Sequence, residues 1–192
     1  VPELEPRFAR IDDDRIALRL SRHEREIVRA LLVELRDVLD GGRAGDDAAA
    51  DDDPARHDDA GDAVEPVEAD PVLGRLYPPA IPTDPVASAA FAKLVRESLE
   101  DVRRERIAVV EDTLDARVLD DARAGAWLGV LNDLRLVLGT QLDVTQVSES
   151  EELEDDDPEA PRKAVYAYLG WLEWQLVEVL ATALPDVDDA TA

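Results

Sequence analysis

Few residue types in this 192-residue chain can carry covalent or metal chemistry. It has no cysteine, which excludes a disulfide scaffold, a redox CxxC pair, a cysteine nucleophile and thiolate zinc. The two histidines, His23 and His57, are too few for a multi-histidine metal centre. His23 falls in the first turn of a predicted helix, and His57 in an acidic stretch without apolar anchors. Neither is placed to act as a base. Nucleophilic catalysis needs a nucleophile beside a base. None of Ser21, Ser88, Ser98, Ser148 and Ser150 lies in a nucleophile elbow. A carboxylate pair can do acid–base work, but among 46 acids a pair can be found anywhere. No catalytic residue, metal site or cofactor is therefore assigned. A metal-dependent carboxylate enzyme stands only as an alternative reading.

The most unusual polar group is Asn132-Asp133-Leu134-Arg135, set in an otherwise apolar helical run. Leu131 and Leu134 face inward, and Arg135, four residues from Leu131, lies close to the buried stripe. A part-buried arginine needs acceptors. One reading is a structural network that ties this helix to a neighbour through a carboxylate on another helix. The other is a recognition site for a partner. Trp171 and Trp174 are three positions apart and can share one helical face, as a contact surface for a partner or a seam for self-association. The same spacing also suits core.

The elements that must position these residues are mainly helical. Phe8 to Leu20 reads as a strand pair, with Ile16, Leu18 and Leu20 alternating and Asp12-Asp13-Asp14 as the turn. Ser21 with Glu24 three residues on is a capping box. In the helix it starts, Ile27, Val28, Leu31, Leu32, Leu35, Val38 and Leu39 recur at helical spacing, and Gly41-Gly42 is expected to stop it. Asp70 to Pro79 reads as a proline-framed loop pinned by apolar anchors. Asp84 and Pro85 open the next helix, which is expected to exceed 25 residues. Its expected buried stripe is Phe91, Leu94, Val95, Leu99 and Val102, continuing through Ile107, Val110 and Leu114. On that helix Arg103, Arg104 and Arg106 mingle with Glu100, Asp101 and Glu105, which reads as a solvated face. Asp120 or Asp121 caps a third helix with Trp127, Leu128, Val130, Leu131, Leu134, Val137 and Leu138 as its expected core, and Gly139 is expected to end or bend it. The fourth long helix begins near Pro161, carries Val165, Tyr168, Leu169, Leu172, Leu176, Val179 and Leu180 as its expected stripe with Trp171 and Trp174 flanking it, and is closed by Pro185.

The charge has a definite address. The formal net charge is −25 and the pI about 4.2. Residues 41–70 hold eleven acids and two arginines, and residues 149–159 eight acids and no base. Both stretches are too poor in apolar residues to order themselves, so 41–70 is expected to be a disordered acidic insert and 149–159 an acidic loop. Asp155-Asp156-Asp157-Pro158 lacks the spacing and the glycine of a calcium loop. At this charge, DNA, RNA and anionic membranes are not expected as direct partners. The one candidate recognition helix, around Arg103-Arg104-Glu105-Arg106, is interleaved with acids. No apolar stretch approaches the roughly 20 residues of a membrane span. The opening residues carry no basic start or apolar run, so no signal peptide is expected and the default compartment is the cytoplasm.

Several blocks resemble an actinobacterial family, domain of unknown function 2017. They are Asp70-Pro71 with Arg75-Leu76-Tyr77-Pro78, then Phe91 with Leu94 and Leu99. Trp127 and Leu131 through Thr140 form the most specific block. Phe8 and Arg10 before the capped helix, and Tyr168, Leu169, Trp171, Leu172 and Leu176, fit its two ends. Only two of the 21 basic residues are lysines, a GC-rich bias that suits such a source. The resemblance implies a small cytoplasmic protein, often encoded near the adaptor of the Clp protease. It also implies a regulatory role for some members in the oxidative-stress response, through a cysteine pair and contact with a sigma factor. This chain has no cysteine, so thiol sensing cannot operate here.

The expectation is one α-rich domain over residues 1–192: about four major helices, a short N-terminal β-hairpin and disordered acidic inserts. The expected function is nonenzymatic regulation by protein contact, in transcription or stress control, with a protein partner and a homo-oligomer as a further option. The alternative is an acidic DNA mimic or basic-protein-docking domain.

Overall fold

The computed structural model describes residues 5–50, 71–76, 85–144 and 157–182. Strands β1 (Phe8–Asp12) and β2 (Arg15–Leu18) form the expected hairpin, pairing Phe8 with Leu18 and Arg10 with Ile16. The register slips at Ile11, a bulge beside the turn that Asp12 holds by accepting from the Arg15 guanidinium. Helices α1 (Arg22–Ala50), α2 (Pro71–Leu76) and α3 (Pro85–Thr113) follow. Then come β3 (Val118–Leu119), α4 (Asp121–Gln141) and α5 (Ala160–Ala181). Among the described residues the architecture is four long helices with the N-terminal hairpin, plus one short helix. No helix of the described residues is long and apolar enough to cross a membrane.

The capping box forms as a reciprocal pair. The Glu24 backbone N–H donates to Ser21 Oγ at 3.3 Å, and the Ser21 N–H donates to the Glu24 carboxylate at 2.6 Å. Asp120, rather than Asp121, caps α4 by accepting the Arg123 N–H at 2.8 Å. Asp121 instead takes the Arg10 guanidinium at 2.6 Å.

Helix α4 is the axis of the molecule, packing against α5, α3, α2 and α1 as well as the sheet. It is apolar nearly all round, and a helix of that kind must be surrounded. Trp127 is fully buried on it and meets Phe8 edge-on at 5.9 Å. Its indole N–H would be costly to bury alone, and Thr113 at the end of α3 accepts it at 2.9 Å. Leu131 and Leu134 of α4, Leu32 and Leu35 of α1, Ile107 of α3 and Leu172 of α5 complete the same core. Each such side chain contributes on the order of 1.5–3 kcal/mol by leaving water.

Four expectations are corrected, and one strand is added. Gly41-Gly42 does not stop α1, which runs to Ala50 and so carries helix into the segment expected to be disordered from residue 41. Glycine costs only about 1 kcal/mol in a helix, and Ala44, Ala48, Ala49 and Ala50 around it are the strongest helix formers. The loop expected from Asp70 contains the helix α2, whose Leu76 is buried. A third strand, β3, pairs Leu119 with Ile16 on the far side of β2. On α3, Leu99 and Val102 are exposed, whereas Glu100 is buried with its carboxylate on Arg104 at 3.2 Å. The inward face is set by Ile107 and Val110; Glu100 stands seven residues before Ile107, almost two full turns at about 3.6 residues per turn, whereas Leu99 at eight residues is rotated well away from that face. Gly139 does not end α4, which continues to Gln141. The side chains of Phe91, Leu94 and Val95, the loop 149–156 and Pro185 lie outside the described residues.

The end of α4 is a Schellman turn. Val144 N–H donates to Gly139 C=O at 2.8 Å and Asp143 N–H to Thr140 C=O at 3.2 Å. Asp143 adopts the left-handed conformation this turn requires, with φ of 49°.

Candidate functional site

The polar run on α4 sends its three side chains in three directions. Arg135 crosses to α5. Its guanidinium donates from Nη1 to Glu173 at 2.8 Å and from Nη2 to the Tyr166 hydroxyl at 3.2 Å. It also sits over the Tyr166 ring, 4.9 Å from the centroid. Two glycines make this crossing possible. A Cβ on Gly170 would stand 3.3 Å from Arg135 Nε, and one on Gly139 would stand 3.0 Å from the Tyr166 ring. Each helix thus offers a glycine to the other's large side chain. Burial pulls the Arg135 guanidinium down, but Glu173 and Tyr166 outweigh it, so its pKa is raised and the charge is permanent.

Asp133 turns the other way, toward α3. It is 3% exposed and faces Arg103 Nε at 3.2 Å. Burial pushes its carboxyl upward, against the pull of the Arg103 and Arg106 charges. Arg103 also donates to Leu76 C=O at 2.9 Å, which joins α2 to the same knot. The arginines of α3 are therefore not simply a solvated face: Arg103 and Arg104 are half-buried, and Arg106 lies across Gly129 of α4.

Asn132 is exposed and lines a shallow pocket with Arg75, Arg135 and Tyr166. Leu136, Gly139 and Val144 supply its apolar part. The volume is about 90 Å³, enough for a few waters. Pockets for drug-sized ligands run to about 300–1,000 Å³. The pocket joins α2, the C-terminal half of α4 and the start of α5, so Arg75 and the Asn132–Arg135 block meet although some sixty residues separate them in the chain.

The two tryptophans of α5 part company. Trp171 is half-buried between Tyr168, at 5.7 Å between ring centroids, and the Arg7 guanidinium, 5.8 Å from its own ring centroid. Trp174 is 59% exposed, and Val177 on the following turn is 47% exposed.

Beside Trp171 is a cluster that the sequence pattern does not single out. One Glu24 oxygen accepts from Arg7 Nε and from the Tyr168 hydroxyl, each at 2.7 Å, while its other oxygen holds the capping bond. Burial alone would raise this carboxyl, but hydrogen bonds from Tyr168, Ser21 and Arg7 hold it at about 2. Gln175 Oε1 accepts the backbone N–H groups of Arg7 and Phe8, at 2.6 and 3.2 Å. Arg10 donates to the Val179 carbonyl at 3.0 Å. Helix α5 in this way covers the outer edge of β1, which would otherwise offer open hydrogen-bonding groups. The available signal was Gln175 itself, a polar residue between the buried positions Leu172 and Leu176. Among the described residues no three His, Asp or Glu side chains are grouped as a metal ion would need.

A protein-family model described as Domain of unknown function (DUF2017) matches residues 6–180. No curated protein matches, and no solved structure matches.

Proposed function

This chain belongs to the DUF2017 family, and we propose that it works as a nonenzymatic regulatory protein that acts by contact with another protein. The observation that carries this reading is Trp174. A large aromatic ring standing mostly in solvent, with Val177 exposed on the next turn, is unusual on so charged a protein. Surface aromatics and arginines are the residues that most often anchor protein interfaces. The side chains with the strongest electrostatic environments, Glu24, Asp133 and Arg135, are engaged in tying elements together, which favours a scaffold over a catalyst. Transcription or stress control is supported by the family resemblance alone, and without cysteine the regulation uses contact rather than thiol chemistry. The cytoplasm is the matching compartment.

The test is an affinity capture from a bacterial lysate at low and high salt. It compares the wild type, Trp174→Glu, and a full-length chain whose acids at 46–70 and 149–156 are replaced by Asn and Gln. The expected result is one specific protein held by the wild type and the neutralised chain at high salt, and lost from Trp174→Glu. Binding that disappears on neutralisation of these acids would transfer the contact to the acidic segments and favour a docking or DNA-mimic domain. If nothing specific is captured by the wild type, the contact reading fails.

A further inference from the structure

We propose that the pocket between α2, α4 and α5 is a carboxylate-binding site that receives an acidic side chain of the protein partner. The inference rests on the protein-contact reading and adds the chemistry of what is recognised.

The charge balance argues for one monoanion. Among the described residues two guanidiniums, Arg75 and Arg135, line the pocket, and no carboxylate does. Glu173 already neutralises Arg135 from the side. Arg75 is exposed and has no ion-pair partner among the described residues, so the pocket keeps about one positive charge, a match for a single carboxylate. A doubly charged phosphate fits less well. The pocket lies toward the C-terminal end of α4, whose carbonyl dipoles oppose added negative charge. Among the described residues its lining has no lysine and no serine or threonine hydroxyl.

Size and lining point the same way. About 90 Å³ admits a carboxylate with its nearest methylene but not a nucleotide. Leu136 and Val144 offer apolar surface for that methylene, and the exposed Asn132 amide adds a neutral donor beside Arg75. Arg135 is held in one orientation by Tyr166 and Glu173, so little ordering is required when the anion enters.

Trp174 lies eight residues along α5 from Tyr166, ~12 Å at the helical rise. That rise is the least a partner segment must span to place an acid in the pocket and an apolar side chain on Trp174, about four extended residues or more.

The test uses the full-length protein with nitrogen-15 labels. The side-chain Nε–H of Arg75 and the Asn132 amide are followed by NMR during titration with sodium acetate, sodium chloride or sodium phosphate at matched ionic strength. Acetate is expected to give saturating shifts at both groups and chloride none. Arg75→Gln, a change at an exposed position, is expected to weaken acetate binding at least tenfold. Shifts that do not saturate, that chloride reproduces, or that survive Arg75→Gln would overturn the site. Phosphate saturating at a tenfold lower concentration than acetate would reassign it to phosphate. Acetate binding that appears only once the acids of residues 149–156 are neutralised would make the chain's own segment the occupant and overturn a partner's acid. In the lysate capture, Arg75→Glu is expected to lose the protein that the wild type retains. Equal retention by Arg75→Glu would overturn the pocket's part while leaving protein contact standing. If the wild type captures nothing, the partner's part falls whatever acetate does.

Discussion

The ring of Tyr166 occupies the space that a side chain at Gly139 would need. A Cβ there would lie 3.0 Å from the ring's Cε2. The ring cannot retreat freely, because Arg135 stacks over it and bonds its hydroxyl. Gly139 and Tyr166 together set how closely α4 and α5 approach, and so where Arg135 meets the pocket.

Gly139→Ala is therefore expected to destabilise the fold by about 1–3 kcal/mol through overpacking, despite alanine's better helix propensity. Gly125, on the same helix, has nothing within 4 Å of its would-be Cβ. Gly125→Ala is expected to stabilise by about 1 kcal/mol, the propensity difference alone. Urea unfolding of the two variants should move the midpoint in opposite directions. The same direction for both would show that the α4–α5 approach is not tight at Gly139.

Glu24 predicts a pH dependence whose sign follows from its environment. Its folded pKa of about 2 lies below the ordinary 4.5. Between these values the unfolded chain binds the extra proton, so stability falls as pH falls. The contribution is fully present above about pH 4.5 and is lost progressively toward pH 2. With partial solvent screening it is worth about 1–2 kcal/mol. Unfolding midpoints of wild type and Glu24→Gln should differ at pH 6 and converge near pH 2. A difference independent of pH would mean that the carboxylate charge does not stabilise this corner.

Asp143 holds a left-handed backbone at the end of α4, with φ of 49°. Glycine adopts this conformation without the steric cost of a Cβ, about 1 kcal/mol. Asp143→Gly is expected to stabilise by roughly 0.5–1 kcal/mol, whereas Asp143→Val should destabilise, because a β-branched residue resists positive φ. Thermal unfolding measures both. Destabilisation by glycine would mean that the Asp143 side chain contributes more than its backbone costs.

The helices and hairpin were legible because they are written locally. Ser21 and Glu24, Asp120, and the apolar stripes of α1 and α4 each specify their element within a few residues. What was not legible depends on residues distant in the chain. Gly139 looks like a helix stop until Tyr166 is placed against it, and Leu99 looks like core until the burial of Glu100 and Ile107 turns α3. Strand β3 is two residues long and exists only because Ile16 and Ala17 lie beside it. At the candidate site, Arg135 announced its need for acceptors, but neither Glu173 nor Tyr166 carried a signal of its own. Arg75 was visible only as part of a family block, and nothing local connects it with Asn132.

Trp171 and Trp174 are indistinguishable by spacing, and the structure separates them by their surroundings. Trp171 packs against Tyr168 and Arg7, so Trp171→Ala removes an aromatic contact and a cation–π contact together. The expected loss is about 1–3 kcal/mol, less than for a fully buried tryptophan. Trp174 stands in solvent, and Trp174→Ala is expected to change stability by no more than about 0.5 kcal/mol. Fluorescence distinguishes them independently: iodide should quench Trp174 strongly, and Trp174→Phe should remove most of the quenchable emission while Trp171→Phe leaves it. If Trp174→Ala costs as much as Trp171→Ala, the ring is part of the fold's packing. The surface proposed for the partner would then have to be sought around Arg75 alone.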